Sequence, residues 1–306
     1  ANKLQEFAAD MFGKEAALFV PSGVMGNQIC LNVLTNPGDE VICDSECHIF
    51  HYESGSPAAL SGIQLYPVVG KKGIFSAYDI EPLIRPASAY YMPQTRVIEI
   101  ENTHNRAGGN IWPIENIKEI KNLADKYNLY THLDGARIWN ASVASGISIK
   151  EYASSFDTIS ACLSKGLGAP VGSIITGDKA FIKEAFRVRK AFGGGMRQIG
   201  ILAAAGLYAL TNNIGRLRED HDKAQMLANV ISELPFFEID PAEVITNIVS
   251  FKVTGIPAED TIRKLAAAGI MILPGMPGYL RAVTHLDVSM EDISYAIIKM
   301  RELFSK

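Results

Sequence analysis

The sequence predicts an α/β chain in which a mostly parallel sheet is covered by helices and followed by a smaller α+β region. Three observations carry that reading. Short runs that are apolar almost throughout, such as ALFV, VICD, VIEI and TISAC, recur along the first two thirds of the chain, as strands buried on both faces do. Segments with helical spacing stand between them. Beyond a long helical stretch the style changes, which sets a large domain at residues 1–212 and a small C-terminal domain at 213–306.

ALFVPSG (17–23) reads as a strand stopped by Pro21 and Gly23, and VMGNQICLNVLT (24–35) continues with helical spacing. NPGDE is a turn and VICD a strand. A helix over 53–62, a strand over 63–68, a helix over 77–85 and a strand over 95–102 follow. The next helix, over 113–128, starts from Pro113. LYTHLD (129–134) is a strand, ISIKEYASSF (147–156) a helix, and DTISACLS (157–164) and GSIITGD (172–178) are strands. After the helical region from about Lys179 to Leu234 come strands NIVSFKV, GIMILP and YLRAVTH, with helices EDTIRKLAAAG and SMEDISYAIIKMRELF.

Composition excludes several classes of function. With 29 basic and 33 acidic residues interspersed over 306, and 48% hydrophobic residues, the chain is globular and has no cationic face for nucleic acid or an anionic membrane. No apolar run approaches the roughly 20 residues that span a bilayer, so a soluble, cytoplasmic protein is expected. The cluster CDSECHIFH places Cys43, Cys47, His48 and His51 close together, but structural zinc favours two short-spaced pairs held apart by a longer stretch. Reduced, packed cysteines and no metal are the expectation.

Four stretches carry chemistry. SACLSKGLGAPVGS holds one charged side chain, Lys165, among small residues that let something flat approach; a desolvated amine there becomes a nucleophile toward a carbonyl, whereas the plain alternative is a packed stem with a paired head. PSG opens a helix whose N-terminal N–H groups suit a phosphate, or are merely capped. LYTHLDGAR puts Asp134 at a strand end, either paired with Arg137 or facing a protonated ring nitrogen. RKAFGGGMRQ joins Arg189, Lys190 and Arg197 to three glycines, an anion-binding loop or a solvated one. Together, at the carboxyl ends of strands, they fit pyridoxal phosphate.

ENTHNRAGG, HLDGARIWNA, CLSKGLGAPVGS, GGGMRQIGILAAAG and RAVTHLDVS, in that order, closely resemble the L-threonine aldolases, pyridoxal-phosphate lyases of fold type I. The likeness runs from about residue 3 to the C-terminus. It implies retro-aldol cleavage of L-threonine or L-allo-threonine to glycine and acetaldehyde by a homotetramer built from dimers. Lys165 then matches the Schiff-base lysine, Asp134 the pyridinium partner and His48 the histidine stacked on the ring. Gly23, Val24 and Ser164 match phosphate contacts, with Arg197 supplied by a neighbouring subunit and Lys190 near it. Arg137 and Arg281 match the arginines that hold the substrate carboxylate, and Tyr52 and Tyr91 belong to the substrate side. The base for the β-hydroxyl proton is His48, its water, or His104. His51 and His132 are expected in packing, and His221 and His285 in local hydrogen bonds.

Three departures qualify the resemblance. Val24 stands where the family has threonine, Tyr91 where it has a second active-site histidine, and an RSDT-type segment is expected ahead of residue 1. A β-eliminating lyase, or a cofactor-binding chain without turnover, remains the alternative.

Overall fold

The computed structural model describes residues 1–305. Helix α1 (Asn2–Phe12) buries Leu4, Ala8 and Phe12 at helical spacing, then β1 (Ala16–Val20) leads into α2 (Gly23–Leu34), which is capped by the Ser22 side chain. Next come β2 (Glu40–Asp44), the short α3 (His48–His51), α4 (Ser56–Ser61), β3 (Gln64–Val68) and α5 (Ala77–Ile80). After β4 (Thr95–Glu101), α6 (Ile114–Tyr127), β5 (Tyr130–Asp134), α7 (Ile138–Ser145) and α8 (Ile149–Ser154) lie β6 (Thr158–Cys162) and β7 (Ser173–Gly177). Helices α9 (Lys179–Ala191), α10 (Gly200–Asn212) and α11 (Leu217–Glu233) fill the long helical region. The last part holds β8 (Phe237–Glu238), β9 (Ile248–Val253), α12 (Ala258–Ala267), β10 (Leu273–Pro274), β11 (Tyr279–Val283) and α13 (Met290–Phe304).

The first seven strands form one sheet in the order β1-β7-β6-β5-β4-β2-β3, and only β7 runs against its neighbours. Register sets Glu101 beside Asp134 and Asp134 beside Ser160, so β4 and β5 end level while β6 runs on to Cys162. The other four strands make an antiparallel sheet, β10-β11-β9-β8. Helix α11 joins the two parts: Leu217 in its first turn packs with the core of the large sheet, whereas Ala224, Leu227 and Ile231 pack with that of the small one.

Several elements differ from expectation. The helix over 53–62 begins only at Ser56, because Gly55 takes a left-handed conformation (φ +72°). The helix over 77–85 gives way after Ile80 to a 3₁₀ turn, Glu81–Leu83, with Pro82 inside it. GIMILP pairs only at Leu273 and Pro274, while Ile270 and Ile272 pack against the small core without a ladder. Helices α1 and α7 appear where none was expected.

Candidate active site

Asp134 ends β5 at 2% exposure. Its Oδ2 accepts from Asn27 Nδ2 at 2.8 Å and its Oδ1 from the Ala136 N–H at 3.1 Å. Arg137 turns elsewhere and donates through Nη1 to Asn105 Oδ1 (3.2 Å), so the pairing of Asp134 with Arg137 is not made. The Asn27 Nδ2 group also donates to Glu53 Oε1 (2.8 Å), whose other oxygen accepts from Gln28 Nε2 (2.5 Å). His48, at the start of α3, places Nδ1 2.8 Å from Glu53 Oε1, and its backbone N–H donates to Glu101 Oε2 (2.7 Å). Burial by itself lowers the basicity of His48, but the Glu53 bond and the charges of Asp134, Glu53 and Glu101 outweigh it, and the net shift is upward. His132 lies behind Asn27, between Thr158 Oγ1 (2.9 Å) and Asn27 Oδ1 (3.3 Å); burial drops its pKa to about 4 and keeps it neutral.

The first turn of α2 lies against the end of β6. A Cβ on Gly23 would stand 2.8 Å from Cys162 Sγ and 3.6 Å from Ser173 Oγ. The Ser173 hydroxyl is itself buried and unpartnered among the described residues. Gly23 and Val24 thus present backbone N–H groups in a cradle that admits no side chain at Gly23. Lys165, half-buried, and exposed Ser164 follow β6 in the adjoining loop, which turns on a Gly168 N–H to Lys165 carbonyl bond of 2.9 Å. The triple-glycine loop reaches the same end, since Gly194 packs on Met25 of α2 and Arg189 Nη1 donates to the Phe19 carbonyl at 2.6 Å. Lys190 and Arg197 are exposed.

On the other side, Arg137 and Arg281 both donate to Asn105 Oδ1, at 3.2 and 2.7 Å. Arg281 and the shared Asn105 border a cleft of about 290 Å³ lined also by His48, Tyr52, Arg106 and Ser250, among others. The Tyr52 hydroxyl accepts from Arg106 Nη1 at 3.0 Å, and its ring centroid lies 5.6 Å from that of His48. The expected set is not brought together in full. Tyr91 is 73% exposed, in a turn after β3 and α5 where it meets Tyr90 edge-on, and it does not line the cleft. His104 is 1% exposed with both ring nitrogens engaged, Nε2 on Asp44 Oδ1 (3.1 Å) and Nδ1 with the Ala107 N–H (3.3 Å), and it does not line the cleft, which leaves it badly placed for a base. The zinc-like run also separates: Cys43 and Cys47 meet Glu99 in the interior, His48 turns to Glu53, and His51 Nε2 meets the Ser45 carbonyl (2.9 Å).

Sequence reasoning missed Asn27, Gln28, Glu53, Glu101 and Asn105. The signal for the first two was present, since N-Q interrupts the apolar run GVMGNQICLNVL and both side chains are at least 98% buried.

The sequence profile of the beta-eliminating lyase family matches residues 1–254. The chain belongs to this family. Among its relatives, the probable low-specificity L-threonine aldolase 2 of Arabidopsis thaliana is 40% identical over 310 residues, covering 99% of this chain and 87% of the relative. The low specificity L-threonine aldolase of Escherichia coli K12 is 39% identical over 306 residues, covering 100% and 89%. Solved structures share the fold of this lyase. A putative aromatic amino acid beta-eliminating lyase/threonine aldolase from Exiguobacterium sp. 255-15 superposes with a TM-score of 0.84 at 22% identity, covering 99% and 87%. The threonine aldolase of Leishmania major gives 0.84 at 18% identity, covering 99% and 89%. The lyase therefore has the fold-type I architecture and uses pyridoxal phosphate. Its residues fit that group: a side-chain-free cradle with an orphaned hydroxyl for the phosphate, and a buried carboxylate with only neutral partners for the ring nitrogen.

Proposed function

We propose that this lyase cleaves L-threonine and L-allo-threonine to glycine and acetaldehyde with pyridoxal phosphate. The observation that carries the reading is the partner of Asp134. Arg137 turns away to Asn105, so the partners of Asp134 are the Asn27 amide and a backbone N–H, an arrangement that suits it to face a protonated ring nitrogen. Bound pyridoxal phosphate supplies a conjugated ring that takes up the electron pair left on Cα when the Cα–Cβ bond breaks. Lys165 supplies the amine for the cofactor aldehyde, and Gly23 and Val24, with Ser164, the phosphate contacts. Arg137 and Arg281 grip the substrate carboxylate. With the cofactor bound, that grip would orient the substrate so that Cα–Cβ is the bond presented for cleavage. His48, which lines the cleft, takes the β-hydroxyl proton at Nε2 directly or through a water.

Arg197 completes the phosphate site of a neighbouring subunit, with Lys190 beside it, in a homotetramer. Support comes from their exposure and from α10, an apolar helix that leaves Ile201 82% and Tyr208 63% exposed. The enzyme works in the cytoplasm, in keeping with four free cysteines and with no helix among the described residues long and apolar enough to cross a membrane. Purified holoenzyme given L-threonine is expected to release acetaldehyde and glycine; 2-oxobutyrate and ammonia instead would establish β-elimination. Lys165→Ala is expected to abolish the visible absorption of covalently held cofactor, and an unchanged spectrum would remove Lys165 from the site.

A further inference from the structure

The carboxylate of Glu53 is fully enclosed and receives three donors. Its side chain is 0% exposed, Oε1 faces His48 Nδ1 and Asn27 Nδ2, and Oε2 faces Gln28 Nε2. The orientation of the Asn27 amide is settled independently. Its nitrogen lies 2.8 Å from Asp134, which as a carboxylate only accepts, and its oxygen lies 3.3 Å from His132. A donor therefore meets Glu53 Oε1 from α2.

We propose that Glu53 is a positioning residue that fixes the tautomer of His48, holding the ring proton on Nδ1 and leaving Nε2 as the basic nitrogen for the cleft. The inference rests on the reading of His48 as the proton acceptor. It adds that the base is prepared by a carboxylate, and that the Asn27 amide ties this carboxylate to Asp134 through one nitrogen. Other charges facing His48 are Glu101, which holds its backbone N–H, and Asp134 from β5, with Arg106 and Arg281 across the cleft. Among the described residues only Glu53 touches a ring nitrogen of His48, so it is the group that selects the tautomer.

The test has three parts. In wild-type holoenzyme, ¹⁵N NMR of labelled histidine is expected to show His48 with Nδ1 protonated; a proton on Nε2 overturns the inference and requires no variant. Glu53→Gln removes the charge and keeps the shape. Its visible cofactor spectrum and threonine KM are expected to stay close to wild type, while kcat falls roughly tenfold or more. The acid limb of its kcat profile is expected to move down by roughly one pH unit, because the charge that favours the imidazolium is gone. Glu53→Asp, which restores the charge, is expected to return the limb toward its wild-type position. An unmoved limb and an unchanged tautomer in Glu53→Gln overturn the proposal. His48→Asn separates the two readings: full kcat in that variant removes His48 as the base, whereas lost kcat beside an indifferent Glu53→Gln removes Glu53 alone.

Discussion

Asn105→Asp puts a charge where the substrate carboxylate must compete. Asn105 Oδ1 accepts from Arg281 Nη1 at 2.7 Å and from Arg137 Nη1 at 3.2 Å, and burial together with the facing Arg281 charge lowers the basicity of Arg137. Two cations that share one neutral acceptor are poised for an anion. A hydrogen bond to a charged acceptor contributes about 1 kcal/mol more than one to a neutral acceptor. Two such bonds strengthen the internal hold by about 2 kcal/mol, which at 1.4 kcal/mol per factor of ten corresponds to roughly a thirtyfold loss of substrate affinity. Steady-state kinetics with L-threonine are expected to show KM raised by about that factor, with the cofactor spectrum unaltered and kcat changed much less. Glycine, which carries the carboxylate but no β-hydroxyl, is expected to lose affinity in parallel. Asn105→Ala removes the acceptor without adding charge and is expected to raise KM less. A KM for Asn105→Asp within threefold of wild type would refute the argument that these two arginines receive the carboxylate.

Two further substitutions test the scaffold around the site. Gly23→Ala sets a methyl 2.8 Å from the sulfur of buried Cys162. It is expected to shift the first turn of α2, cost about 1–3 kcal/mol and weaken cofactor retention on dialysis; adding Cys162→Ala should restore much of both, and undiminished retention in the single variant would remove this turn from the phosphate site. The buried His104–Asp44 pair should contribute to stability in a defined pH window. Burial opposes charge on both, but their hydrogen bond and mutual attraction carry His104 above its ordinary 6.5 and Asp44 below its ordinary 3.8. The His104 contribution is complete below pH 6.5 and fades as pH rises through its raised value; that of Asp44 is complete above 3.8 and fades as pH falls through its lowered one. Urea unfolding of Asp44→Asn should therefore show its largest deficit near pH 5 and a smaller one by about pH 9, and a deficit independent of pH would contradict the pairing.

What could be read from the sequence was whatever announces itself locally. Lys165 is a charge in an apolar, glycine-rich setting, Asp134 ends an apolar run before a glycine, and Ser22 and Gly23 end a strand and open a helix. The mostly parallel sheet followed from apolar strands alternating with helices, because strands covered on both faces lack period-two patterning. Helix α7, IWNASVAS, escaped for the same physical reason: protein surrounds Ile138, Trp139, Asn140 and Ala141, so no polar face marks its period. The second layer of the site escaped because its contacts are long-range. Asn27 and Asp134 lie 107 positions apart, and nothing near either residue specifies the other.

His104 shows most clearly where local reading fails. Its motif sits next to site residues in sequence, Glu101 and Asn105, and a histidine there is a natural candidate for a base. What decides its role is Gly73, some thirty positions earlier, whose backbone lies so close to the imidazole that any side chain at that position would overlap the ring. That glycine, at φ +78°, lets the segment after β3 close over the histidine, while Asp44 from β2 and the Ala107 N–H occupy its two nitrogens. Three separate segments must therefore converge before the imidazole is shut away. His48, which starts a four-residue helix at the mouth of the cleft, meets the same kind of carboxylate partner on one nitrogen only. Two histidines with alike local sequence credentials thus part company through tertiary packing: one is consumed by the fold, and the other keeps a nitrogen for chemistry.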